Sequence, residues 1–346
     1  VVKAALASAA LPSAPRDTAV WVDPKDSAQS LVLATHQGGL SVLGLDGKTL
    51  QTVPLEDAQG VDVQYGFKQG SATLDLVVAA EAGQGRLRVL SLDPKTHKLT
   101  DISGNTGVFS AKIKPSALAL FKGKSGLYAF VSQSPAPLKD CLGQFQLVSR
   151  AEKVDVKFLR TLGELESAKP TVQPPSAPAQ VPGPSSAAPA PQAPVSAPSV
   201  PKPAEVTALF VDSGKAKVYY TDPNYGVHEY SADPADKGQA KTASGFARVG
   251  LSGVLHGISV SKDHFVCLDQ ASGGSILRMF PRDARGEKTE QTRVRTEVDS
   301  AEAVEVVSRG LGKAFPGGLM VVADGASKTI QFYDWREVAK SAGLKG

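Results

Sequence analysis

Short apolar runs, each stopped by Gly, Asp or Pro, recur along this chain and restrict it to a β architecture. Ala19-Val20-Trp21-Val22 stops at Asp23-Pro24, and Leu31-Val32-Leu33-Ala34-Thr35 is turned by Gly38-Gly39 into Leu40-Ser41-Val42-Leu43. Asp46-Gly47 makes the next tight turn, since glycine tolerates positive φ. The same rhythm continues through Leu74–Ala80, Arg86–Leu92, Ala117–Phe121, Leu127–Val131, Gly143–Val148 and Val154–Thr161. It resumes in Thr207–Val211, Val218–Asp222, Val227–Tyr230, Gly257–Val260, Phe265–Leu268, Ser275–Phe280, Thr292–Val298, Ala303–Val307, Gly318–Ala323 and Thr329–Tyr333. In Gly60–Phe67, alternation puts Val61, Val63 and Tyr65 on one face and Asp62 and Gln64 on the other. Only Trp335–Ala342 has a helical pattern. About four strands per unit gives roughly six units, within the usual range of a closed β-propeller. Closure removes the free edges that an open array would expose. The expected fold is therefore all-β, a six-bladed propeller.

The rhythm breaks once. Between Lys169 and Ala204 lie 12 of the 24 prolines, among Ala, Ser and Gln, with almost no charge. Such a stretch cannot bury enough apolar surface to offset its ordering. The strand pattern is the same on both sides, and each side alone is too short for a closed ring. The reading is one propeller over residues 16–346, interrupted by an extended or disordered Pro/Ala/Ser-rich insertion at 169–204. A proline-rich ligand for a partner domain is the alternative role for the insertion. Residues 1–15, small and Ala-rich, read as a flexible N-terminal segment.

Composition excludes several classes. The net charge is +4, and no Lys/Arg block is interleaved with aromatics, so nucleic acid is not an expected partner. No apolar run approaches ~20 residues, so no membrane-spanning helix is expected. Cys141 and Cys267 do not make a disulfide framework, and whether they pair is open. The five histidines show no zinc-ligand spacing.

The chain resembles the β-propeller phytases. In that family the first strand carries paired aspartates and a proline, then a Trp-Val-x-Pro segment and an Asp-Gly-Lys turn. Trp21, Pro24 and Asp46-Gly47-Lys48 fall at those places, whereas the aspartate pair is Arg16-Asp17 and its proline is Thr18. The N-V-D-V-R-Y-D-F segment appears as Gly60–Phe67, Y-A-F-V as Tyr128–Val131, and W-K-F-S-A-E-P as His228–Pro234. F-P-x-G-L-F-V-x-Q-D-G is similar to Phe315–Gly325, and the closing aromatic-x-x-Trp motif to Phe332–Ala339.

The resemblance implies hydrolysis of phytate, the hexakisphosphate of inositol, by several Ca2+ ions in a carboxylate-rich cleft at one end of the channel. Calcium takes several oxygen ligands, and the ions offset phosphate charge and activate water. Carried over residue by residue, the metal candidates are Asp17, Asp62, Asp222, Glu302 and Asp324, and the phosphate-contact candidate is Gln270. Each has a local alternative, because Asp at strand ends commonly caps backbone N–H groups and Gln270 also suits a solvated loop. The family arginine two residues past Asp62 is Gln64, the double lysine is His36-Gln37, one glutamate falls at Thr207, and D-x-E-G-L reads Val254–Ile258 with His256 where an acid belongs. The framework motifs persist while the chemical ones are thinned.

Two readings follow. The first is a weakly active or non-catalytic phytase-family domain acting beside an active phytase domain and contributing binding of phytate or lower inositol phosphates, or stability. The second is a working calcium-dependent phosphatase with a reduced metal set. A propeller recruited only for protein binding is a third, without a motif of its own. The family is exported, so a secreted or periplasmic location in a bacterium is expected.

Overall fold

The computed structural model describes residues 1–110, 112–167, 205–236, 245–247, 251, 254–271, 273–283 and 288–344. The insertion expected at 169–204 lies outside the described residues. Six antiparallel sheets are arranged as a β-propeller. Blade 1 is Pro15–Trp21, Leu31–His36, Gly39–Gly44 and Thr49–Pro54; blade 2 is Ala58–Gln69, Ala72–Glu81, Arg86–Leu92 and Leu99–Asp101. Blade 3 is Lys114–Gly123, Gly126–Ser134, Lys139–Arg150 and Lys153–Glu164. Blade 4 has three described strands, Leu209–Asp212, Lys217–Asp222 and Gly226–Ser231, with Val227 also bridged to Phe246. Blade 5 is Leu255–Val260, His264–Asp269, Ile276–Pro281 and Thr292–Arg295.

Blade 6 takes Ala301–Val307, Leu319–Asp324 and Thr329–Asp334 from the end of the chain and its outer strand, Leu6–Ala7, from the beginning. Leu6 pairs with Phe332 and Ala7 with Gln331. Ala5 N–H donates to Phe332 O (2.7 Å) and Ser8 N–H to Ile330 O (2.9 Å). The chain ends thus lock the ring from within the stretch that composition set apart as a flexible terminus.

The core explains why so many strands read as unbroken apolar runs. It divides into six hydrophobic clusters, one at each interface between neighbouring blades, as in Trp21, Leu33 and Val42 against Val77, Ala79 and Leu90 between blades 1 and 2. A middle strand such as Leu76–Ala80 is buried on both faces, so neither face selects polar residues. The first strand of each blade contacts the first strands of both neighbours, which closes an inner ring around a channel. In blade 2 the expected alternation holds for Val61 and Val63, then fails: the ladder shifts register between Gln64 and Phe67, and Tyr65 emerges at the surface.

Trp21 is fully buried, and its indole N–H donates to Asp75 Oδ2 of blade 2 (2.9 Å). The C-terminal helix, Trp335–Ser341, begins at Asp334, whose carboxylate accepts from Arg336 N–H (2.9 Å). Both cysteines are buried free thiols. Among the described residues, no helix is long and apolar enough to cross a membrane.

Deleting residues 1–8 should lower the thermal midpoint by about 5 °C or more, because it strips blade 6 of its outer strand and exposes the edge at 330–332. Differential scanning calorimetry checks this; an unchanged midpoint would contradict the closure.

Candidate functional site

The channel holds a cavity of about 370 Å3 walled by the six inner strands. Three carboxylates, Asp17, Asp62 and Glu305, enter its wall from blades 1, 2 and 6. Asp17 Oδ2 accepts from Val61 N–H (2.9 Å) across the blade boundary, and its Oδ1 accepts from Thr18 N–H (2.9 Å). Asp62 repeats the device one blade on, accepting from Leu120 N–H (2.7 Å) and Val63 N–H (2.7 Å). In blade 5, Ser259 Oγ accepts from Val306 N–H (3.0 Å) and donates to Glu305 Oε2 (3.1 Å). Thr207, at the position of a family glutamate, donates its hydroxyl to Leu255 O of blade 5. These side chains satisfy inner-strand backbone groups across blade boundaries.

The same placement sets their acidity. Desolvation pushes Asp17 up to about 7 against the pull of its two N–H donors. Asp62 is pushed up to about 6 for the same reason. Glu305 rises to about 8 through desolvation and then the negative charge of Asp62 and Asp17. Channel water reaches all three in part.

Above the carboxylates, at the mouth where the inner strands begin, basic side chains meet the acids. Arg16 hydrogen-bonds and ion-pairs with Asp57 from the start of blade 2, and Lys114 Nζ lies 3.8 Å from the same carboxylate. His256 Nδ1 lies 3.5 Å from Glu302 Oε2, and the hydrogen bond from His256 holds the Glu302 carboxyl below its usual range. Asp222 is buried in the turn after its strand, where it accepts from Glu166 N–H (2.7 Å) and Asn224 N–H (2.9 Å) and pairs with His228 Nε2 (2.9 Å). Asp324 accepts from Ala326 N–H (3.1 Å) and from the Ser327 hydroxyl (2.6 Å) of its own turn. Gln270 follows the second strand of blade 5, with its backbone N–H donated to Val254 O (3.1 Å). His36, in place of a family lysine, is buried against Ser41 Oγ (3.0 Å) rather than turned to the mouth.

Of the six residues singled out in the sequence, Asp17 and Asp62 share the channel, Glu302 stands at its mouth, Asp222 ties its own turn to the backbone at Glu166, Asp324 serves its own turn, and Gln270 follows the second strand of blade 5. Glu305, Arg16 and Asp57 were not singled out. Two-residue periodicity through Ala301, Ala303 and Glu305 on an inner strand was the available signal for Glu305. The donor set does not fit a multi-ion calcium centre. Among the described residues no three His, Cys, Asp or Glu side chains converge closely enough to hold a metal ion, and each oxygen of Asp17 and of Asp62 accepts one backbone N–H.

Comparison with known proteins agrees with the strand motifs. The family model described as Phytase matches residues 3–135. A curated 3-phytase of Bacillus subtilis (strain 168) is 20% identical over 358 residues, covering 94% of this chain and 81% of that protein. Among solved structures, BBS1N in complex with ARL6DN aligns with a TM-score of 0.44 and 11% identity over 88% of this chain and 73% of that one, too loose a likeness to carry an argument.

Glu305 holds its proton more tightly in the folded chain than in the unfolded one, so its contribution to stability is full below about pH 4.5 and lost as the pH rises through about 8. Asp17 and Asp62 act in the same sense through about 7 and 6. Glu305→Gln should therefore flatten the fall in thermal midpoint between about pH 4.5 and 8. Parallel slopes for parent and variant across that window would refute the assignment.

Proposed function

We propose that this relative of the β-propeller phytases is a domain with little or no phytate hydrolysis of its own, acting beside an active phytase domain on the same or a partner polypeptide. The observation that supports the reading most is the mouth of the channel. Arg16 stands where the family has the first of its paired aspartates, and it neutralises Asp57 directly. His256, in place of an acid, is set against Glu302. A protein cation, Arg16, and a histidine are thus placed against carboxylates at the end where a phytase-like propeller would gather calcium.

Chemically, a calcium-filled cleft supplies positive charge for phosphate and an activated water. Here the residues do other work. Arg16 and Lys114 hold Asp57, Asp17 and Asp62 bridge inner strands, and Glu305 retains its proton near neutral pH. What remains is weak binding of phytate or lower inositol phosphates, or support of a neighbouring domain. Export to the periplasm or the medium accords with the family resemblance.

Phosphate release from phytate, measured with calcium and again with chelator, tests the reading, with calorimetry following binding in parallel. We expect release near the blank in both conditions. Turnover that chelator abolishes and Asp17→Ala removes would overturn the proposal in favour of a working phosphatase with a reduced metal set.

A further inference from the structure

The opposite end of the propeller, where the inner strands finish, is basic. Each blade places one exposed cation in or beside the hairpin that leaves its inner strand: Lys25, Lys68, Lys122, Lys215, Lys262 and Arg309, for blades 1 to 6 in turn. The six hairpins, 22–30, 68–73, 122–126, 212–217, 261–264 and 308–318, carry nine Lys or Arg against four Asp. The six hairpins at the other end, 36–39, 81–86, 133–142, 222–226, 269–276 and 324–329, carry three against five acids. The molecule is therefore polarised along its channel.

The cations sit on a connected rim. Val22 N–H donates to Tyr65 Oη (2.7 Å) between blades 1 and 2, and Lys122 Nζ donates to Tyr65 O (3.4 Å) between blades 2 and 3. Lys215 Nζ donates to Arg282 O (2.6 Å) between blades 4 and 5, and Lys262 N–H to Ser308 Oγ (3.0 Å) between blades 5 and 6. Tyr65 and Ser213 at this end also line the channel, which places the rim around its second mouth. Among the described residues, Lys25, Lys68, Lys122, Lys262 and Arg309 have no carboxylate within 4.0 Å; Lys215 is paired with Asp283 (2.6 Å). Several of the acids nearby are engaged: Asp75 by the Trp21 indole and Gly66 N–H, Asp23 by Lys25 N–H, Asp26 by Ala28 N–H, and Asp212 by Arg282, while Asp263 is exposed beside Lys262.

We propose that this rim binds a polyanion of clustered phosphate groups without metal. Packed sheets lie about 10 Å apart, so six hairpins set a ring on the order of 20 Å across. A lone phosphate spans too little of that ring to engage it, whereas a chain or surface of phosphates meets several cations at once. Five of the six are lysines, compact ammonium groups that bind phosphate oxygens as point charges. This inference does not rest on the reading of the other mouth, because its binding needs no calcium.

Binding of a linear inorganic polyphosphate, in chelator, tests it by calorimetry over a range of salt. Phosphatidylglycerol and phosphatidylcholine vesicles in sedimentation separate headgroup phosphate from free phosphate, and polyglutamate of equal charge tests the ligand class. The full chain should bind polyphosphate or phosphatidylglycerol and bind polyglutamate at least tenfold more weakly. Lys68→Glu/Lys122→Glu/Arg309→Glu should cost at least tenfold and lower the log–log salt slope by about 2. The corresponding triple Gln variant, which only removes charge, should lose affinity in the same direction with an unchanged thermal midpoint. No binding by the parent, equal binding by the variants, equal binding of polyglutamate, or loss of binding in chelator would each overturn it.

Discussion

The inner ring of a propeller poses a hydrogen-bonding problem that the sheets cannot solve. Each inner strand pairs with the second strand of its own blade and faces the inner strands of two other sheets, so some backbone groups along the channel have no ladder partner. Unpaired, a buried N–H or C=O forfeits the full cost of its desolvation. This chain solves the problem with side chains. Asp17 takes the N–H of Val61, Asp62 that of Leu120, and Ser259 that of Val306, while Thr207 serves the carbonyl of Leu255. The six apolar clusters hold the blades together by burial, and these polar contacts fix how neighbouring inner strands register.

That constraint separates the acids kept here from those lost. Asp17 and Asp62 have a structural task whether or not a metal is nearby, and Asp222 and Asp324 have theirs in turns. Acids without such a task are replaced, by Thr207 and His256 among others. At the mouth, Arg16 supplies positive charge to Asp57 through a direct ion pair. A charge fixed on the chain satisfies one carboxylate but offers no open coordination position for water or phosphate. On the proposed reading, the frame of a phytase-like propeller persists while its chemistry recedes.

Much of the fold was legible in the sequence because burial on both faces writes itself as continuous apolar runs such as Leu76–Ala80, and because the turns carry Gly, Asp and Pro. The tail helix at Trp335 was equally plain. The outer strand Leu6–Ala7 was not, since two residues in an Ala-rich stretch carry no period and their partner lies at the far end of the chain. At the site, Asp17 and Asp62 were legible as residues, but their partners were not. The pairs Arg16–Asp57 and His256–Glu302 join residues more than forty positions apart, and only ring closure brings them together. Glu305 carried no assigned role for a different reason: on an inner strand the channel face is neither core nor outer surface, so a charge there reads as an ordinary solvated position.

Whether the mouth holds calcium decides between a working phosphatase and a domain without hydrolysis of its own. Binding to the folded state alone would stabilise it, by about 2.7 kcal/mol at a free ion concentration a hundredfold above Kd. The most direct measurement is the thermal midpoint of the full chain in millimolar calcium and in chelator at the same ionic strength. If the carboxylates are committed to backbone bridges and protein cations, the two midpoints coincide. A rise of several degrees with calcium, abolished by Asp17→Asn or Asp62→Asn, would show that these aspartates still coordinate metal and would contradict the account.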